Sequence, residues 1–315
     1  MKVLVVGCGA SGRRHINNLT AIDRIKSISV FTGNKDCLNE VNHNDKVTIT
    51  NSLTNTDADF AIIANDTYKH IDTAIPLAER GIHLFIEKPL SHNLNKTNEL
   101  REIARKKKIK IFIGYNLRFL GAMKYVKEKI AQGVLGRLYF AKIEVGQYLP
   151  EWRQDRDYRD SYSSRKDAGG GVALDLSHEI DYMRYLFGDP VQWKVMKTKV
   201  SDLEIDSEDI FEGIYRYDNN FVCTVHMDYL QKEKARELRI VGSNGVLHCD
   251  FIRKKISIGK NDGEIVQKGG DMFDVSETYA GELNHFIEVI EKDLEPDIGL
   301  EDGIQVLRFL ENVNV

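Results

Sequence analysis

A short apolar run leads directly into a glycine-rich loop in residues 2–12, KVLVVGCGASG. The run is too short for a helix and rich in β-branched residues, which predicts a buried parallel strand. Gly7, Gly9 and Gly12 then fit the pattern G-x-G-x-x-G, and the helix predicted after them begins near Ser11. A strand, this loop and a helix in that order are typical of a dinucleotide site, where the glycines allow a tight turn and close approach to the pyrophosphate.

Strand-like and helix-like runs alternate through residues 1–118, which predicts an α/β fold of the Rossmann type with a doubly wound parallel sheet. Ligands of such sheets bind beyond the carboxyl ends of the strands. The glycine loop, the Asn-Asp-Thr turn at 65–67 and the Glu-Lys-Pro turn at 87–89 are predicted to meet there. The other predicted elements are strands 27–31, 47–50, 60–64, 82–86 and 109–114, and helices that include 71–79 and 95–107.

The end of the second predicted strand departs from the usual dinucleotide pattern. NAD sites usually place Asp or Glu there to bind the ribose hydroxyls, whereas this chain has Thr32 and Asn34, followed by Lys35. The first two can bind a ribose or a 2′-phosphate and Lys35 can neutralise that phosphate, so we favour NADP over NAD. Two alternatives stay open, namely Asp36 as the ribose ligand and Lys35 as a solvated loop charge.

After residue 118 the pattern changes to long strand-like segments. They predict a second domain over 119–315, of the α+β type, with a large, open, mainly antiparallel sheet covered on one face by helices. Two hairpins are predicted, at 218–220 and 243–245. The C-terminal helices are candidates for packing back on the first domain. Tyr279, Glu282 and His285 in them are interpreted as packing or interdomain contacts.

A glycine tract at 169–171 precedes a predicted amphipathic helix. Residues at i, i+3, i+4 and i+7 of that helix share one face: Asp175, His178, Glu179 and Tyr182. A carboxylate one turn from a histidine can orient the ring and stabilise the imidazolium, which suits a general base. The alternative is a capped helix with a structural histidine.

Composition excludes several classes of protein. The net charge of −4 over 315 residues argues against a general nucleic-acid binder. No apolar run is long enough to span a membrane, and the N-terminus lacks the features of a signal peptide, so a cytoplasmic location is expected. No metal site is predicted. The cysteines are scattered without a CxxC pair, which favours reduced thiols at Cys8, Cys37, Cys223 and Cys249.

The motifs in this order make the chain resemble the Gfo/Idh/MocA oxidoreductases over nearly its whole length. They are the glycine loop, the Glu-Lys-Pro turn, the segment GYNLRF at 114–119 and the glycine tract with its Asp and His. The resemblance implies NAD(P)-linked hydride transfer at a secondary hydroxyl or ketone of a sugar, sugar derivative or cyclic polyol, possible substrates including nucleotide and amino sugars. It also implies a homo-oligomer, a dimer or tetramer formed through the C-terminal sheet.

The resemblance also implies roles for single residues. Lys88 would lie between nicotinamide and substrate, and the Lys88–Pro89 bond is a candidate cis peptide. His70 and Asn116 match positions that line or support the cofactor site. The full candidate set for the cofactor is Gly7, Gly9, Ala10, Ser11, Gly12, Thr32, Asn34, Lys35, Asn65, Asp66, Thr67, His70, Glu87, Lys88 and Asn116.

The helix with the histidine departs from the family pattern. Family members commonly place the histidine four residues after the aspartate, whereas His178 lies three after Asp175 and Glu179 holds the fourth place. Either His178 keeps the role on a helix that starts differently, or Glu179 takes it. The sequence Ser-His-Glu-Ile-Asp at 177–181 resembles that of a subgroup associated with bacterial surface-sugar pathways. We therefore favour His178 for the role of the family histidine.

Proton chemistry also favours the histidine. The ordinary pKa of a lysine side chain is ~10.4, and it must fall by ~3 units, which costs about 4 kcal/mol, before the amine can act as a base near neutral pH. The ordinary pKa of a histidine is ~6.5 and needs almost no shift. A Glu87 paired with Lys88 would favour the ammonium. We therefore predict His178 as the base, oriented by Asp175, and Lys88 as the cationic donor that stabilises alkoxide character.

Weaker candidates for substrate contact are Trp152, Tyr158, Glu179, Tyr229 and Arg236. The stretch 151–167 balances its charges, which favours a mixed-charge loop over an anion site. A competing interpretation is a catalytically silent, NAD(P)-binding regulator on the same scaffold. Another is an enzyme that never releases its cofactor. Retention of both Lys88 and His178 favours an enzyme, because a sensor has no need of proton chemistry.

Overall fold

The computed structural model describes residues 1–33, 44–152, 157–260, 263 and 265–312. Contacts divide the chain into a first unit, residues 1–115 and 279–307, and a second unit, residues 116–278 and 308–315. The predicted cofactor ligands Asn34 and Lys35, with Asp36, lie outside the described residues. In the described part of the chain, no helix combines the length and apolarity needed to cross a membrane.

The first unit contains a parallel sheet with strand order β3-β2-β1-β4-β5-β6. This order is that of a Rossmann domain, so the predicted fold is confirmed. Its central strands form because they are apolar throughout and are covered on both faces. The strands are β1 (Lys2–Val6), β2 (Ser27–Phe31), β3 (Val47–Ile49), β4 (Phe60–Ile63), β5 (His83–Glu87) and β6 (Ile111–Gly114).

Helices flank this sheet and reach it from both ends of the sequence. Phe286, near the C-terminus, meets Phe60 at a ring-centroid distance of 5.5 Å and Phe85 at 5.9 Å, all three fully buried. Edge-to-face packing of this kind adds to the burial of large rings. In the described part of the first half, the α-helices are α1 (Ala10–Thr20), α2 (His70–Glu79) and α3 (Thr97–Lys107).

The second unit contains an eight-stranded sheet of order β14-β13-β12-β11-β7-β10-β9-β8. Only the β7–β10 pair among these is parallel, which confirms a mainly antiparallel sheet. The strands are β7 (Leu138–Gly146), β8 (Gln192–Thr198), β9 (Ile210–Arg216), β10 (Val222–Asp228), β11 (Ala235–Gly242), β12 (Gly245–Asp250), β13 (Lys255–Lys260) and β14 (Ile265–Gly269). Both predicted hairpins are present, and β14 was not predicted.

The region predicted as one amphipathic helix is two helices. The remaining helices are α4 (Gly121–Ala131), α5 (Val172–Asp175), α6 (His178–Phe187), α7 (Ser276–Glu291) and α8 (Leu300–Phe309). Leu176 leaves helical geometry at φ −102° and ψ 25°, so α5 ends there and α6 begins two residues later. Asp175 and His178 therefore lie on different helices. The prediction that they share one face of a single helix is wrong.

The cysteines are not all reduced. Cys223 and Cys249 are free and buried, as predicted, and burial raises the pKa of Cys223 far above its ordinary value. Cys8, inside the glycine loop, is disulfide-bonded. The prediction of a reduced thiol is therefore wrong at Cys8, because scattered spacing along a sequence carries no information about which residues meet in space.

His226 on β10 lies between two carboxylates on the less buried face of the sheet. Its Nδ1 is 2.6 Å from Glu212 Oε1 and its Nε2 is 3.0 Å from Asp228 Oδ2. The hydrogen bond to Asp228, followed by that to Glu212, raises the pKa of His226 to about 9 against the opposing effect of burial. The ring is therefore a cation at neutral pH.

The pKa of His226 is raised in the folded state, so the protonated ring stabilises the folded protein. This contribution to the unfolding free energy is complete below the pKa of the unfolded chain, ~6.5, and is lost as pH rises through the folded-state pKa of about 9. His226→Gln is expected to remove about 2 kcal/mol from the unfolding free energy at pH 6.5 and much less at pH 10. Urea unfolding at several pH values measures this difference. His248→Gln, at the 40% exposed pair with Glu237, is the control and should show little effect. An equal loss at both pH values for His226→Gln would contradict the assignment.

Candidate active site

The glycine loop joins β1 to α1 and abuts the end of β4. Gly7 has φ +93°, and a Cβ there would lie 2.5 Å from Ala64 O and from Asn65 N. A Cβ on Gly12 would lie 2.2 Å from Gly7 O. At Gly9 an added Cβ would meet no protein atom within 4 Å. The first and third glycines are therefore required by the protein's own packing, whereas the second faces open space.

Helix α1 begins at Ala10 directly after the loop. Its N-cap residue Gly9 makes no side-chain capping bond, so the first-turn amides have no capping acceptor from that residue. Ala10 is exposed and Ser11 is half-buried. Amides of this kind, at the positive end of a helix dipole, suit a phosphate group.

A continuous series of contacts connects the glycine loop to the Lys88 turn. Gly7 abuts Asn65, and the carbonyl of Asn65 is 3.1 Å from His70 Nε2. His70 Nδ1 is 3.0 Å from the carbonyl of Pro89. Burial lowers the pKa of His70, so the ring is neutral and donates to one of these carbonyls at a time. His70 thus lies between the two turns, in contact with a carbonyl of each and hydrogen-bonded to one of them.

The Lys88–Pro89 peptide is cis, which confirms that expectation. Lys88 follows the last residue of β5 and is half-buried. Its backbone N–H donates to Glu87 Oε2 at 3.3 Å. The Lys88 turn therefore lies at the carboxyl end of the parallel sheet, where ligands of such folds bind.

Glu87 is held by a histidine that the sequence analysis did not single out. Its Oε1 lies 2.5 Å from His15 Nε2, with His15 fully buried and the Glu87 side chain 12% exposed. Burial raises the pKa of Glu87, but the hydrogen bond and charge of His15, with the charge of Lys88, outweigh it and leave the pKa below its ordinary value. Glu87 is therefore an anion.

The other predicted cofactor residues of the first unit differ in burial and in their hydrogen-bond partners. Asn65 Nδ2 donates to Thr73 Oγ1 at 2.9 Å, while its Oδ1 is buried without a hydrogen-bond partner in the described residues. Asp66 is exposed and pairs with Lys69 at 2.7 Å. Thr67 is buried and Thr32 half-buried.

Asn116 belongs to the second unit and is 3% exposed. Its Nδ2 donates to Thr278 Oγ1 at 2.7 Å. This contact commits the amide nitrogen to the protein. Asn116 is therefore buried and held in place by Thr278.

Around the predicted base, Asp175 accepts a 2.6 Å hydrogen bond from the hydroxyl of Tyr229, and both residues are buried. Trp152 packs edge-on against Tyr229 at 5.1 Å and donates its Nε1–H to Gln147 O at 3.0 Å. His178 is half-buried in the first turn of α6.

Two buried ion pairs fix the start of α6. Glu179 is 0% exposed and accepts from Arg236 at 2.8 Å, and Asp181, also 0% exposed, accepts from Arg118 at 2.7 Å. Breaking such a pair leaves an uncompensated buried charge and costs about 3–5 kcal/mol. Glu179 and Arg236 are therefore engaged with each other, whereas the neighbouring His178 keeps part of its surface open.

The glycine tract accommodates the protein's own chain. A Cβ on Gly170 would lie 2.2 Å from Tyr162 O, and one on Gly171 would lie 2.4 Å from Glu208 Oε1. Gly170 is thus approached by the backbone of the loop before α5, and Gly171 by the Glu208 carboxylate, from the segment before β9. The sequence analysis expected a close approach here without identifying the group.

Arg159, Ser164 and Arg165, in the described part of the mixed-charge segment, line a shallow depression of about 630 Å³ together with residues 199 and 201–206. Arg159 there is bound by Asp157, at 2.9 Å between Nε and Oδ1, and by Glu204 at 2.7 Å. Tyr158 accepts from Glu204 N at 3.2 Å. The charges largely compensate one another, in agreement with the expectation of a mixed-charge loop.

Sequence reasoning missed His15 and set Glu282 aside. The only local signal for His15 is its place on the buried face of α1 with Gly12, Ile16 and Leu19. Glu282 likewise lies on α7 next to buried Leu283. A polar side chain within an apolar helix face was the available signal, since such groups are rarely buried without a use.

The chain is similar to curated proteins, and the share of each relative's length that it matches differs between them. The chain is 24% identical to the myo-inositol 2-dehydrogenase of Thermotoga maritima, over 98% of this chain and 93% of that protein. It is 28% identical to an uncharacterized oxidoreductase of Synechocystis sp., over 60% of this chain and 52% of that protein. The chain thus spans about half the length of the second relative.

Solved structures share the fold at low identity. Levoglucosan dehydrogenase in complex with NADH has a TM-score of 0.84 at 19% identity, covering 98% of this chain and 94% of that one. The WlbA dehydrogenase from Bordetella pertussis, in complex with NADH and UDP-GlcNAcA, has a TM-score of 0.82 at 19% identity, covering 98% and 92%.

Models of one family match both parts of the chain. The NAD-binding Rossmann fold of the oxidoreductase family GFO/IDH/MocA matches residues 1–115. The C-terminal domain of the same family matches residues 123–248. The chain therefore belongs to the GFO/IDH/MocA oxidoreductase family.

Proposed function

We propose that this oxidoreductase transfers a hydride between a nicotinamide cofactor and a secondary hydroxyl or ketone of a sugar, sugar derivative or cyclic polyol. The observation that carries the proposal is the contact series in the first unit, from Gly7 through Asn65 and His70 to Pro89. It connects a loop suited to a dinucleotide with a lysine at the same end of the sheet. An amine in that position can act on a substrate oxygen beside the cofactor.

The proposed roles divide the proton chemistry between two residues. A nicotinamide cofactor, held by the glycine loop and the Lys88 turn, would supply the hydride chemistry. His178 takes the hydroxyl proton, and Lys88 donates a hydrogen bond to the same oxygen and stabilises its developing negative charge. The anionic Glu87 next to Lys88 supports the donor role, because a neighbouring negative charge favours the ammonium.

The burial pattern supports His178 over Glu179 as the base. Glu179 is fully buried and paired with Arg236 through Oε1, so accepting a proton would remove the negative charge that this pair requires. His178 is half-buried. Asp175 remains the proposed orienting carboxylate, acting with Tyr229 as its hydrogen-bond donor. Trp152 and Tyr158, both half-buried, remain candidates for stacking on a substrate ring.

The cofactor is proposed to be NADP in preference to NAD. The reason is chemical: the second strand is followed by Thr32, Asn34 and Lys35 where NAD sites usually carry an acid. Titration of the purified protein with NADPH and NADH by nicotinamide fluorescence measures the preference. Tighter binding of NADH would reverse the choice without affecting the proposed hydride transfer.

The loop glycines give a prediction about cofactor binding. Gly12→Ala places a Cβ 2.2 Å from Gly7 O, so it should both destabilise the fold and weaken NAD(P)H binding by about tenfold or more. Gly9→Ala meets no protein atom within 4 Å, so it should leave the unfolding free energy unchanged and still weaken binding. Thermal unfolding and fluorescence titration separate the two effects. Unchanged affinity in Gly9→Ala would contradict the placement of the pyrophosphate.

A spectrophotometric screen tests the proposed reaction. NAD and NADP are each combined with inositols, sugars, sugar acids, amino sugars and nucleotide sugars, and absorbance of reduced nicotinamide is followed. Turnover of one class identifies the substrate. Cofactor binding without reduction by any member would favour the regulator on the same scaffold, and purified protein carrying redox-active nicotinamide would favour an enzyme that retains its cofactor.

A homo-oligomer, a dimer or tetramer, is proposed to form through the eight-stranded sheet. Three apolar side chains on its less buried face are exposed, Phe140 by 37%, Met196 by 55% and Ile214 by 57%. Apolar groups clustered on one face favour association. Light scattering of the wild type and of Ile214→Lys tests the assembly, and a monomeric wild type would contradict it.

A further inference from the structure

The first unit contains a buried cluster of three ionisable side chains, His15, Glu87 and Glu282. One nitrogen or oxygen atom of each lies within 4.8 Å of the corresponding atoms of the other two. Glu282, on α7, is 0% exposed, and neither of its carboxyl oxygens has a hydrogen-bond partner in the described residues. His15 Nδ1 is likewise buried without a partner there. The cluster adjoins Lys88, because Glu87 is the residue that precedes it.

The charges around the cluster decide where its proton resides. Glu87 already has two favourable neighbours, the His15 imidazole and the charge of Lys88. Among the described residues, the favourable charge acting on Glu282 is that of Arg14, whose guanidinium stacks on Tyr279 at 4.0 Å. Burial, and then the negative charge of Glu87, raises the pKa of Glu282 well above its ordinary value. Two neighbouring buried carboxyls cannot both ionise cheaply, so the pair retains one proton.

We propose that Glu282 is a neutral carboxylic acid and a positioning residue, which retains its proton, donates a hydrogen bond toward Glu87 and so keeps Glu87 fixed and anionic next to Lys88. The separation is closed by rotation of the carboxyl or by one bridging water. His15, Lys88 N–H and Glu282 then surround the Glu87 carboxylate with donors. The catalytic part of this inference rests on the proposed function, whereas the protonation of Glu282 does not.

The arrangement explains why a carboxyl group is buried in this position. A leucine at residue 282 would pack the core without the cost of an unpartnered polar group. It would also remove the donor, leaving His15 and the Lys88 amide to stabilise the Glu87 charge inside the protein. The other ionisable group near Glu87 is His70, which burial keeps neutral. His15 and Lys88 already lower the pKa of Glu87, and a donor on Glu282 would add to their effect, so its loss is expected to raise the proton affinity of Glu87.

Infrared difference spectroscopy tests the protonation of Glu282 without any assay of activity. At pH 7 the wild type minus Glu282→Gln spectrum is expected to show the carbonyl band of a protonated carboxylic acid, shifted on transfer to D2O. The control Glu79→Gln, at an exposed position of α2, should show no such band. In Glu87→Gln the band should disappear at a lower pH than in the wild type, because the neighbouring negative charge is gone.

Kinetics test the positioning role. Glu282→Gln keeps a neutral donor and should retain kcat/KM within about threefold, whereas Glu282→Leu should lose about tenfold or more. The acid limb of its pH profile should also move to higher pH and become steeper, because protonation of Glu87 is then added to that of His178. If the leucine variant does not fold, Glu282→Asp, which withdraws the acid by one methylene, should move the limb in the same direction.

Three results would overturn the inference. They are the absence of a carboxylic acid band at pH 7, an acid limb unchanged in both Glu282→Leu and Glu282→Asp, and a stoichiometric divalent metal in purified protein that is lost in Glu282→Gln. Absence of turnover with every substrate would instead count against the proposed function and would leave the infrared result intact.

Discussion

His178→Ala is expected to lower kcat by about 10²–10⁴-fold, because a positioned general base contributes an effect of this size. The affinity for NAD(P)H should stay within about twofold, since His178 is not among the predicted cofactor contacts. Steady-state kinetics with the substrate found in the screen, and fluorescence titration with the cofactor, measure the two quantities separately.

Glu179→Gln is the neighbouring control for His178→Ala. It removes the charge of the buried pair with Arg236, so we expect it to lower the unfolding free energy by about 3 kcal/mol. Its kcat should nevertheless fall far less than that of His178→Ala. Wild-type turnover in His178→Ala, with a large loss in a folded Glu179→Gln, would assign the base to Glu179.

Lys88→Met is expected to lower kcat by about 10²–10³-fold, as removal of one oxyanion donor does in other enzymes. Methionine keeps a similar length and removes the charge. Lys88→Arg keeps the charge with a different shape, so its loss should be smaller than that of Lys88→Met. Rapid-reaction measurement of hydride transfer checks both variants, and a Lys88→Met enzyme with wild-type rates would remove Lys88 from the mechanism.

The fold was predictable because its signals are local. The apolar run before Gly7 and the spacing of the glycines predict β1 and α1, and both form where expected. The hairpin at 243–245 follows from Ser-Asn-Gly between two strands, and the structure pairs β11 with β12 there. Each of these elements is decided by residues that are close in sequence.

The break between α5 and α6 was not predictable for the opposite reason. Asp175 is bound by Tyr229, 54 positions away, and Gly171 packs against the carboxylate of Glu208. Helical periodicity alone favours one continuous helix, and these distant contacts compete with it at Leu176. Similarly, His15 and Glu87 are 72 positions apart, and nothing in either segment indicates that they meet.

The candidate site was predictable in part. The sequence singled out Lys88, His70 and the loop glycines, which the structure connects in one contact series. It left His178 and Glu179 as alternatives, because adjacent positions on a helix cannot be ranked without their surroundings. Burial separates them, since Glu179 is 0% exposed and His178 is half-buried.

The pH dependence of kcat/KM for alcohol oxidation, compared in the wild type, His178→Ala and Lys88→Met, tests the division of roles most directly. The wild type should show an acid limb in the range of an imidazole, about 6–7. Lys88→Met should keep this limb at a lower overall rate, and His178→Ala should lose it. A limb that survives in His178→Ala and disappears in Lys88→Met would show that the lysine, and not the histidine, accepts the proton.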